Sequence, residues 1–365
     1  MELIVGTTSF CDYDSIQAAV DALEFGAAAL ATTHICVRSS AIAAVSDQAA
    51  DRAFWSQSVQ ANEQIKANDN DQTSEMDTIF ILEGVYEEAV MIHNSNLRLC
   101  GIGRVEITSS RHARERNEQG DEIGTFATPT VFLGGSDLLI ENIIISNTAG
   151  QGDNIGQAVA LTAYCDRAVF KNCTLRAYQD TLFTGPLPPK PKERAKFGGA
   201  EIRHKHAQYR QLYVNCYIEG TIDFIFGGAT AYFDHCHIHS LRHYRNHATY
   251  ITAASTPVGQ PFGYVFHRCW LTGDANITPV FLGRPWREYA RTVFVQCRLG
   301  EHIDPAGWHN WDNPDNERTV VYQEYDPQHA AALRQTRVSW ADCLADSAEQ
   351  WERRIVFDND VFWQE

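Results

Sequence analysis

A short pattern of apolar and polar residues recurs along the chain from residue 168 onward. Each copy holds an apolar residue, an aromatic residue, two mostly polar residues, a cysteine, one variable residue and then Ile or Leu. The segment Asp137–Ile144 is interpreted as an earlier copy with Asn142 in the cysteine place. Self-similarity of this kind predicts a repeat architecture, in which one structural unit is used again in each copy. The five full copies are Ala168–Leu175, Gln211–Ile218, Ala231–Ile238, Tyr264–Leu271 and Thr292–Leu299.

The spacing and composition of the copies predict an all-β fold. Successive cysteine places are 31, 43, 20, 33 and 28 residues apart, as expected for one fixed unit with insertions of variable length. The copies are short, rich in strand-forming residues and bounded by Gly, Asn or Asp, which favours strands over helices. Stacked strand units predict a parallel β-helix, a solenoid in which each coil buries its inward residues against the next. Because buried free cysteine behaves as a small apolar residue, we expect an inward ladder of Cys173, Cys216, Cys236, Cys269 and Cys297.

The two ends of the chain follow other patterns. Residues 14–24 place apolar residues at helical spacing after Asp14, a candidate N-cap, and predict a helix that caps the open end of the solenoid. Residues 40–77 are rich in Ala, Gln, Asn and Asp and interrupt the strands as an insertion. Beyond Asp326 the pattern becomes polar and helical, which predicts a tail over 327–365 packed along the outside. We interpret residues 1–365 as one domain, because long β architectures often run as a single unit.

The charge of the chain limits the classes of partner. Its 46 acidic and 30 basic residues give a formal net charge of −16. Nucleic acid is therefore not expected as a partner, because its binding depends on positive charge meeting phosphate. A polyanionic substrate would also be repelled by the net field, and its binding would require a local basic patch.

Neither a membrane span nor a metal site is expected from the sequence. The apolar stretch at 25–37 is too short to cross a bilayer as a helix. The ten cysteines contain no CxxC pair, so zinc spacing is not found. The N-terminus has no basic segment followed by an apolar segment of signal length. We therefore expect a cytoplasmic location, or a secreted one if a signal peptide has been removed.

Polar residues interrupt the apolar strands at four places, and these residues carry the candidate chemistry. Residues one coil apart in sequence become neighbours in a solenoid. Because positions 157, 179, 223 and 284 fall on successive coils or their insertions, we expect them to form one cluster. The motifs are QAVAL with Gln157, QDTL with Gln179 and Asp180, DFIFG with Asp223, and LGRPW with Arg284 and Trp286.

Taken singly, each of these residues has a simpler structural explanation. Asp223 lies among large apolar residues and could be a structural carboxylate held by Arg284, since structural ion pairs also perturb carboxylates. Asp180 could belong to an ordinary turn. A lone Trp286 is more often a core residue than a ligand platform.

Taken together, the same residues indicate acyl transfer. Two carboxylates whose pKa values are pushed apart can act as nucleophile and as proton donor. Two glutamine amides supply the N–H donors of an oxyanion hole, and one arginine can hold a carboxylate ionised through two hydrogen bonds. The chain has no Gly-x-Ser-x-Gly motif, so an aspartate is the better candidate nucleophile.

The four motifs, in this order, resemble the pectin methylesterases, which are carbohydrate esterases with a right-handed parallel β-helix. The resemblance runs from residues 13–23 through Gly84–Glu87 to Ile303–Trp308, and it leaves out the insertion and the tail. It implies pectin or a methylated oligogalacturonide as substrate, and neither a metal nor a cofactor. A cytoplasmic location would favour the short oligogalacturonides over polymeric pectin.

The resemblance also implies a role for each residue of the set. Asp223 is expected to attack the methyl ester of galacturonate, and Asp180 to protonate the departing methanol and then activate water. Gln157 and Gln179 are expected to stabilise the oxyanion, and Arg284 to orient Asp223. Aromatic residues are expected to bind the substrate or to pack beside the nucleophile, namely Tyr178, Phe183, Phe226, Trp286 and Trp308.

Three features depart from the family pattern, and the insertion at 40–77 is one of them. Phe183 follows QDTL where a tyrosine is frequent, which removes one possible hydrogen bond to substrate. The loop at 187–210 is expanded and basic, and we expect it to hold positive charge over the cleft and attract de-esterified carboxylates. A solvated loop would explain the same charges. The cations are Lys190, Lys192, Arg194, Lys196, Arg203, Lys205 and Arg210, against Glu193 and Glu201.

Three other functions stay open on the sequence alone. A polygalacturonase or pectate lyase of the same fold would cleave the backbone, but a lyase needs a Ca²⁺ carboxylate cluster and a hydrolase gains nothing from the glutamines. A carbohydrate-binding scaffold would have no reason to keep the whole set. An esterase or thioesterase of this fold could act on another acyl substrate, because the set specifies acyl transfer more firmly than the acid.

Overall fold

The structure is a computed structural model that describes residues 1–9, 11–25, 76–192, 196–277 and 279–363. Except for its last two residues, the insertion predicted at 40–77 lies outside these described ranges. Within them the chain forms two stacked sheets with few helices, and successive coils pair in parallel. The predicted parallel β-helix is therefore confirmed.

The first sheet contains the strands that lie on two adjoining sides of each coil. It begins with the short strand β1 (Glu2–Val5) and the long strands β2 (Asp77–Glu87), β4 (Leu97–Ser109) and β6 (Ser136–Asn147). Later coils replace each long strand with two short ones on either side of a corner. These pairs are β8 (Asp166–Lys171) with β9 (Thr174–Arg176), β11 (Arg210–Val214) with β12 (Tyr217–Gly220), β14 (Thr230–Asp234) with β15 (His237–Ser240), β17 (Tyr264–His267) with β18 (Trp270–Gly273), and β20 (Arg291–Val295) with β21 (Arg298–Leu299). The sheet ends with β22 (Val321–Tyr325) and β23 (Asp342–Leu344).

The second sheet forms the remaining side of the solenoid. Its strands follow one another along the axis in chain order, and each one pairs with the corresponding strand of the next coil. They are β3 (Val90–Ile92), β5 (Val131–Leu133), β7 (Leu161–Ala163), β10 (Leu182–Thr184), β13 (Ile222–Gly227), β16 (Thr249–Ala254) and β19 (Val280–Gly283).

In the coils from β6 to β20, a residue with positive φ makes the corner of the first sheet. Asn is one of the few residue types that visit this left-handed region readily. Strand register pairs Ile144 with Thr174, which puts Ile143 rather than Asn142 in the column of Cys173. The prediction for Asn142 is therefore wrong, because Asn142 is a corner residue. The corner residues are Asn142, Asn172, Asn215, His235, Arg268 and Gln296, with φ between 52° and 58°.

Two inward columns fill the core along the axis. The predicted cysteine ladder is present, and each thiol donates to a main-chain carbonyl of the preceding coil at 3.3 to 3.4 Å, as Cys216 does to Phe170. Beside it, aromatic rings stack nearly parallel, with centroids 4.4 to 4.7 Å apart. Burial of such large side chains is the main source of stability in a solenoid. The stacked rings are Phe170, Tyr213, Phe233, Phe266 and Phe294.

The helix α1 (Ile16–Phe25) packs on the first coils, with Ile16 and Val20 buried in the core. Its N-cap is Ser15 rather than the predicted Asp14, because the Ser15 hydroxyl accepts a hydrogen bond from the Ala18 N–H. A carboxylate from a distant segment, Glu88, accepts the N–H groups of Ile16 and Gln17. Negative charge at a helix N-terminus is stabilising, and this contact was not visible in the local sequence.

The C-terminal segment packs on the outer face of the first sheet. Trp351, Phe357 and Trp363 are buried there in a cluster with Leu212 and Val265 of the sheet. The segment contains α2 (Ala330–Thr336), the added strand β23 and α3 (Arg353–Val356). Short 3-10 helices span Thr125–Ala127, Pro314–Arg318, Glu349–Trp351 and Val361–Trp363. In the described part of the chain, no helix combines the length and apolarity that a membrane crossing requires.

We predict that Phe233→Ala lowers the free energy of unfolding by about 3–5 kcal/mol, because the change leaves a cavity in the middle of the ring stack. Phe233 is fully buried and stacks on Tyr213 and Phe266. Chemical denaturation of the purified protein measures the effect. The control is Val258→Ala at an exposed position, which should change stability by less than about 0.5 kcal/mol. A loss at Phe233 no larger than that of the control would contradict the role of the stack.

Candidate active site

A cleft of about 470 Å³ lies over the middle strands of the second sheet. Its walls contain polar side chains from several coils, although the strands beneath are apolar. The cleft brings together seven of the ten predicted site residues, namely Gln157, Gln179, Asp180, Asp223, Phe226, Arg284 and Trp286.

Strand register sets the two aspartates side by side on neighbouring coils. β10 pairs with β13 so that Leu182 faces Ile225, and the Asp180 N–H donates to the Ile222 carbonyl at 3.1 Å. Both aspartates have positive φ, 67° for Asp180 and 50° for Asp223. Asp223 also lies in a register shift between β13 and β16. Bulges and left-handed residues re-aim side chains in this way and are frequent at active sites.

Arg284 holds Asp223 through two hydrogen bonds. The Nε atom donates to Oδ1 at 2.8 Å, and Nη2 donates to Oδ2 at 2.7 Å. Arg284 follows β19, and its N–H donates to the Thr252 carbonyl on the preceding coil. A two-point guanidinium–carboxylate contact fixes both the charge and the orientation of the acid. The contact with Arg284 thus favours the ionised form of Asp223 and fixes the direction of its carboxylate.

Two aromatic rings enclose the guanidinium of Arg284. Its carbon Cζ lies 3.8 Å from the centre of the Tyr250 ring and 3.9 Å from that of Trp311. Cation–π contacts of this kind strengthen when water is excluded, to roughly 2 kcal/mol or more. The sequence did not point to either ring. Trp311 lies three residues after the predicted Trp308, whereas Tyr250 belongs to no motif and reaches the site only through the pairing of β13 with β16.

The surroundings separate the two aspartates electrostatically. Burial raises the pKa of Asp180 well above its ordinary value, and the charge of Asp223 raises it further, while Arg284 opposes both. Burial also raises the pKa of Asp223, but the charge and hydrogen bonds of Arg284 and the charge of Lys192 oppose that rise. The pKa of both aspartates is raised on balance, and Arg284 and Lys192 limit the rise at Asp223. Asp180 is therefore the better candidate to hold a proton, and Asp223 the better candidate to carry the charge.

The two glutamines stand on adjacent coils at one end of the pair of aspartates. The Ala158 N–H donates to the Gln179 carbonyl at 3.1 Å, which sets Gln157 next to Gln179 along the axis. Gln157 follows Gly156, whose φ of 70° turns the chain into β7. Their amides supply uncharged N–H donors to the cleft.

Aromatic side chains form one wall of the cleft. Phe226 packs edge-on against Trp286 with ring centroids 5.8 Å apart, and Phe126 and Phe197 extend the same wall. Phe183 is fully buried beneath it, 5.0 Å from Phe226. Its position supports the wall from below and prevents direct contact with a bound ligand.

The placement of Trp308 and Tyr178 corrects two predictions. Trp308 is only 1% exposed, stacks on Tyr322 with centroids 4.2 Å apart and donates from Nε1 to Glu324. It therefore belongs to the core, and the tryptophan of this segment that lines the cleft, together with Trp286, is Trp311. Tyr178 is half-buried and stands outside the residues that line the cleft.

The basic loop divides between the cleft and the rest of the surface. Lys192 and Lys196 line the cleft, together with Arg114 and the acidic Glu122. Arg203 pairs with Glu24 near α1, and Arg210 pairs with Asp166 at 2.8 Å on the first sheet. Lys190 contributes its carbonyl to Arg287, while Arg194 lies outside the described residues. Of the six predicted cations that the structure describes, two thus line the cleft.

The arrangement can carry out acyl transfer without further groups. It offers an ionised carboxylate, a second carboxylate that holds a proton, amide donors and an aromatic wall. Across the described residues, no three His, Cys, Asp or Glu side chains converge as a metal site would require.

Comparison with known sequences gives a consistent set of relatives. The chain matches the family model described as Pectinesterase over residues 49–186 and 201–356. Pectinesterase 31 of Arabidopsis thaliana is 37% identical over 224 residues, which cover 61% of this chain and 62% of that protein. Pectinesterase 2 of Citrus sinensis is 33% identical over 270 residues, which cover 72% of this chain and 47% of that protein. The chain thus spans less than two thirds of either relative.

Comparison with solved structures extends over nearly the whole chain. A pectin methylesterase from carrot has a TM-score of 0.70 and 26% identity, and covers 98% of this chain and 93% of its own. A pectin methylesterase from Erwinia chrysanthemi has a TM-score of 0.63 at 21% identity, with 99% and 97% covered. At that identity the second likeness concerns the fold alone.

We predict that Asp223→Asn lowers the pKa of Asp180 without returning it to its ordinary value. The substitution removes the negative charge that is the second cause of the rise, whereas burial, the first cause, stays. Difference infrared titration of the carboxyl bands measures the shift. The control is Asp342→Asn at an exposed position in β23, which should leave the pKa of Asp180 unchanged. An unaltered pKa in the Asp223 variant would mean that the two carboxylates are not coupled.

Proposed function

Because the chain belongs to the pectinesterase family, we propose that it hydrolyses methyl esters of galacturonate in pectin or methylated oligogalacturonides and releases methanol. One observation carries the proposal: Asp223, ionised by Arg284, lies beside the protonated Asp180 in an open cleft. A structural ion pair would need neither the second carboxylate nor the opening. The glutamines at 157 and 179 complete a set suited to acyl transfer.

In the first step, an oxygen of the Asp223 carboxylate attacks the carbonyl carbon of the ester. The carbonyl electrons move to oxygen, and the amides of Gln157 and Gln179 stabilise the resulting oxyanion. The bond to the methoxy oxygen then breaks while Asp180 gives that oxygen its proton. Methanol leaves, and an anhydride joins Asp223 to the uronate.

In the second step, water attacks the uronate carbonyl of the anhydride. Asp180, now ionised, accepts a proton from that water, and the bond to Asp223 breaks. The product leaves as the uronic acid, which loses the second proton of that water to the solvent, while Asp223 recovers its charge and Asp180 is protonated again. The raised pKa of Asp180 suits it to both directions of transfer, since a proton must be held in one step and released in the other.

The shape of the cleft supports a sugar chain as substrate. Trp286 and Trp311 line the opening, and aromatic side chains suit the apolar faces of sugars. In this proposal Trp311 takes the role that the sequence had suggested for Trp308. Lys192 and Lys196 at the same opening would attract uronate carboxylates that have already lost their methyl groups.

We predict that the wild-type protein releases methanol from highly methylated pectin or from short methylated oligogalacturonides. Asp223→Ala should reduce the rate by at least ~10⁴-fold, because removal of a nucleophile affects the transition state directly. Methanol release is measured with both substrates, and the ratio of kcat/KM values decides between polymer and oligomer. The control Asp342→Asn, outside the cleft, should retain the wild-type rate.

Two outcomes would overturn the proposed reaction. New reducing ends or unsaturated products without methanol would indicate cleavage of the backbone instead of the ester. No methanol from either substrate would leave the acyl-transfer chemistry and exclude these esters, so that other esters or thioesters would be assayed next.

We predict that Lys196→Gln raises KM for partly de-esterified substrates at low ionic strength, with little change in kcat. Lys196 lines the cleft, whereas Lys205 of the same loop is exposed and lies outside the cleft lining. The effect should shrink as salt is added, because the screening length falls to about 10 Å at 0.1 M. Lys205→Gln is the matched control and should leave KM unchanged. An equal KM for the Lys196 variant and wild type at low salt would refute the attraction.

A further inference from the structure

Cations and aromatic rings alternate in one column at the side of the cleft. The order is Tyr250, Arg284, Trp311 and Lys192, with cation-to-centroid distances of 3.8, 3.9 and 4.7 Å. The rings come from different coils and segments, so each must be held in place separately. Tyr250 belongs to a strand and needs no further support, whereas Trp311 lies in a turn.

The turn that carries Trp311 is a disfavoured one. Trp311 and the next residue, Asp312, both have positive φ, 61° and 55°, and neither is glycine. Two consecutive left-handed residues persist only where the surroundings hold them. On the far side, the Asn310 carbonyl accepts from Asn316, and the Asn310 amide donates to Glu317. The turn also requires a contact that holds it on the side of the column of rings and cations.

His309 makes that contact. The ring atom Nδ1 of His309 accepts the main-chain N–H of Trp311 at 3.0 Å, and the main-chain N–H of His309 donates to the carbonyl of Gly283, the residue before Arg284. The ring packs edge-on against Tyr250 and Phe281, with centroids 5.6 and 5.3 Å away. His309 thus touches both segments whose rings enclose the guanidinium.

We propose that His309 is a positioning residue, whose unprotonated Nδ1 keeps Trp311 against Arg284 and so keeps the guanidinium directed at Asp223. The inference rests on the proposed ester hydrolysis for its kinetic test. The Nδ1 atom must offer its lone pair, so the ring proton belongs on Nε2, which faces the exposed Asp312 at 3.9 Å.

His309 would affect the reaction indirectly, by changing how strongly Arg284 stabilises the ionised form of Asp223. Arg284 and Lys192 act on the charge of Asp223, and Asp223 and Arg284 act on that of Asp180. If Trp311 leaves Arg284, water reaches the guanidinium and its hold on Asp223 weakens. The pKa of Asp223 then rises, and a nucleophile that must be ionised becomes active only at higher pH.

The test compares His309→Phe with His309→Asn. Phenylalanine keeps the packing against Tyr250 and Phe281 but has no acceptor, whereas the Asn Oδ1 occupies nearly the place of Nδ1. We expect the Phe variant to lower kcat about fivefold to tenfold near neutral pH, with the acid limb of the pH profile moved to higher pH. We expect the Asn variant to restore both quantities. His329→Phe, an exposed histidine paired with Asp326, controls for loss of a histidine.

Two kinetic results would overturn the proposal. One is a Phe variant with the wild-type pH profile, and the other is an Asn variant as impaired as the Phe variant. A crystal structure of His309→Phe gives a readout that needs no activity. The Trp311 ring should have left Arg284, and a ring that stays in place would also overturn the proposal. If the wild type released no methanol, the proposed function alone would fail, and the crystal structure would still decide the role of His309.

Discussion

In-register parallel pairing of each coil with the next is the constraint on which the other features depend. It puts equivalent positions into columns, so that one thiol, one ring and one left-handed corner residue recur along the axis. The rings stack 4.4 to 4.7 Å apart, close to the strand spacing of about 4.7–4.9 Å. Backbone hydrogen bonds and side-chain packing therefore favour the same strand register. Insertions between strands leave the columns intact, which is why coils of very different length fit one solenoid.

The cleft uses local departures from this regularity. Asp180 and Asp223 adopt left-handed backbone, and Asp223 lies where the register shifts. Each such residue costs roughly 1–3 kcal/mol, a strain that the packed coils around it can offset. The left-handed backbone directs both carboxylates toward the same cleft. Burial there favours the neutral form of each, and Arg284 favours the charged form of Asp223. Removing one partner of a buried ion pair costs about 3–5 kcal/mol, so Arg284 serves stability and chemistry at once.

The sequence predicted the solenoid because inward residues such as Phe170 and Cys173 repeat with recognisable neighbours. It misplaced Asn142 because a corner residue and an inward residue can both be polar or small, and only strand register distinguishes them. It chose Trp308 over Trp311 because hydropathy does not reveal a turn with two positive φ values. Tyr250 escaped notice altogether, since nothing in its local sequence shows that strand pairing carries it to the site. Residues whose positions follow from the repeat could be predicted from the sequence, whereas residues whose positions depend on loop conformation or strand pairing could not.

The order of the site residues along the chain determines when each part of the site forms during synthesis. Every coil pairs with an earlier one, so each can dock as it leaves the ribosome, N-terminal coils first. Asp180 and Asp223 emerge long before Arg284, and Trp311 follows later still. Until then, the two carboxylates share an apolar surface without a counter-charge, and a shared proton is the more stable state. We therefore expect the nascent chain to acquire its solenoid before it acquires a reactive centre.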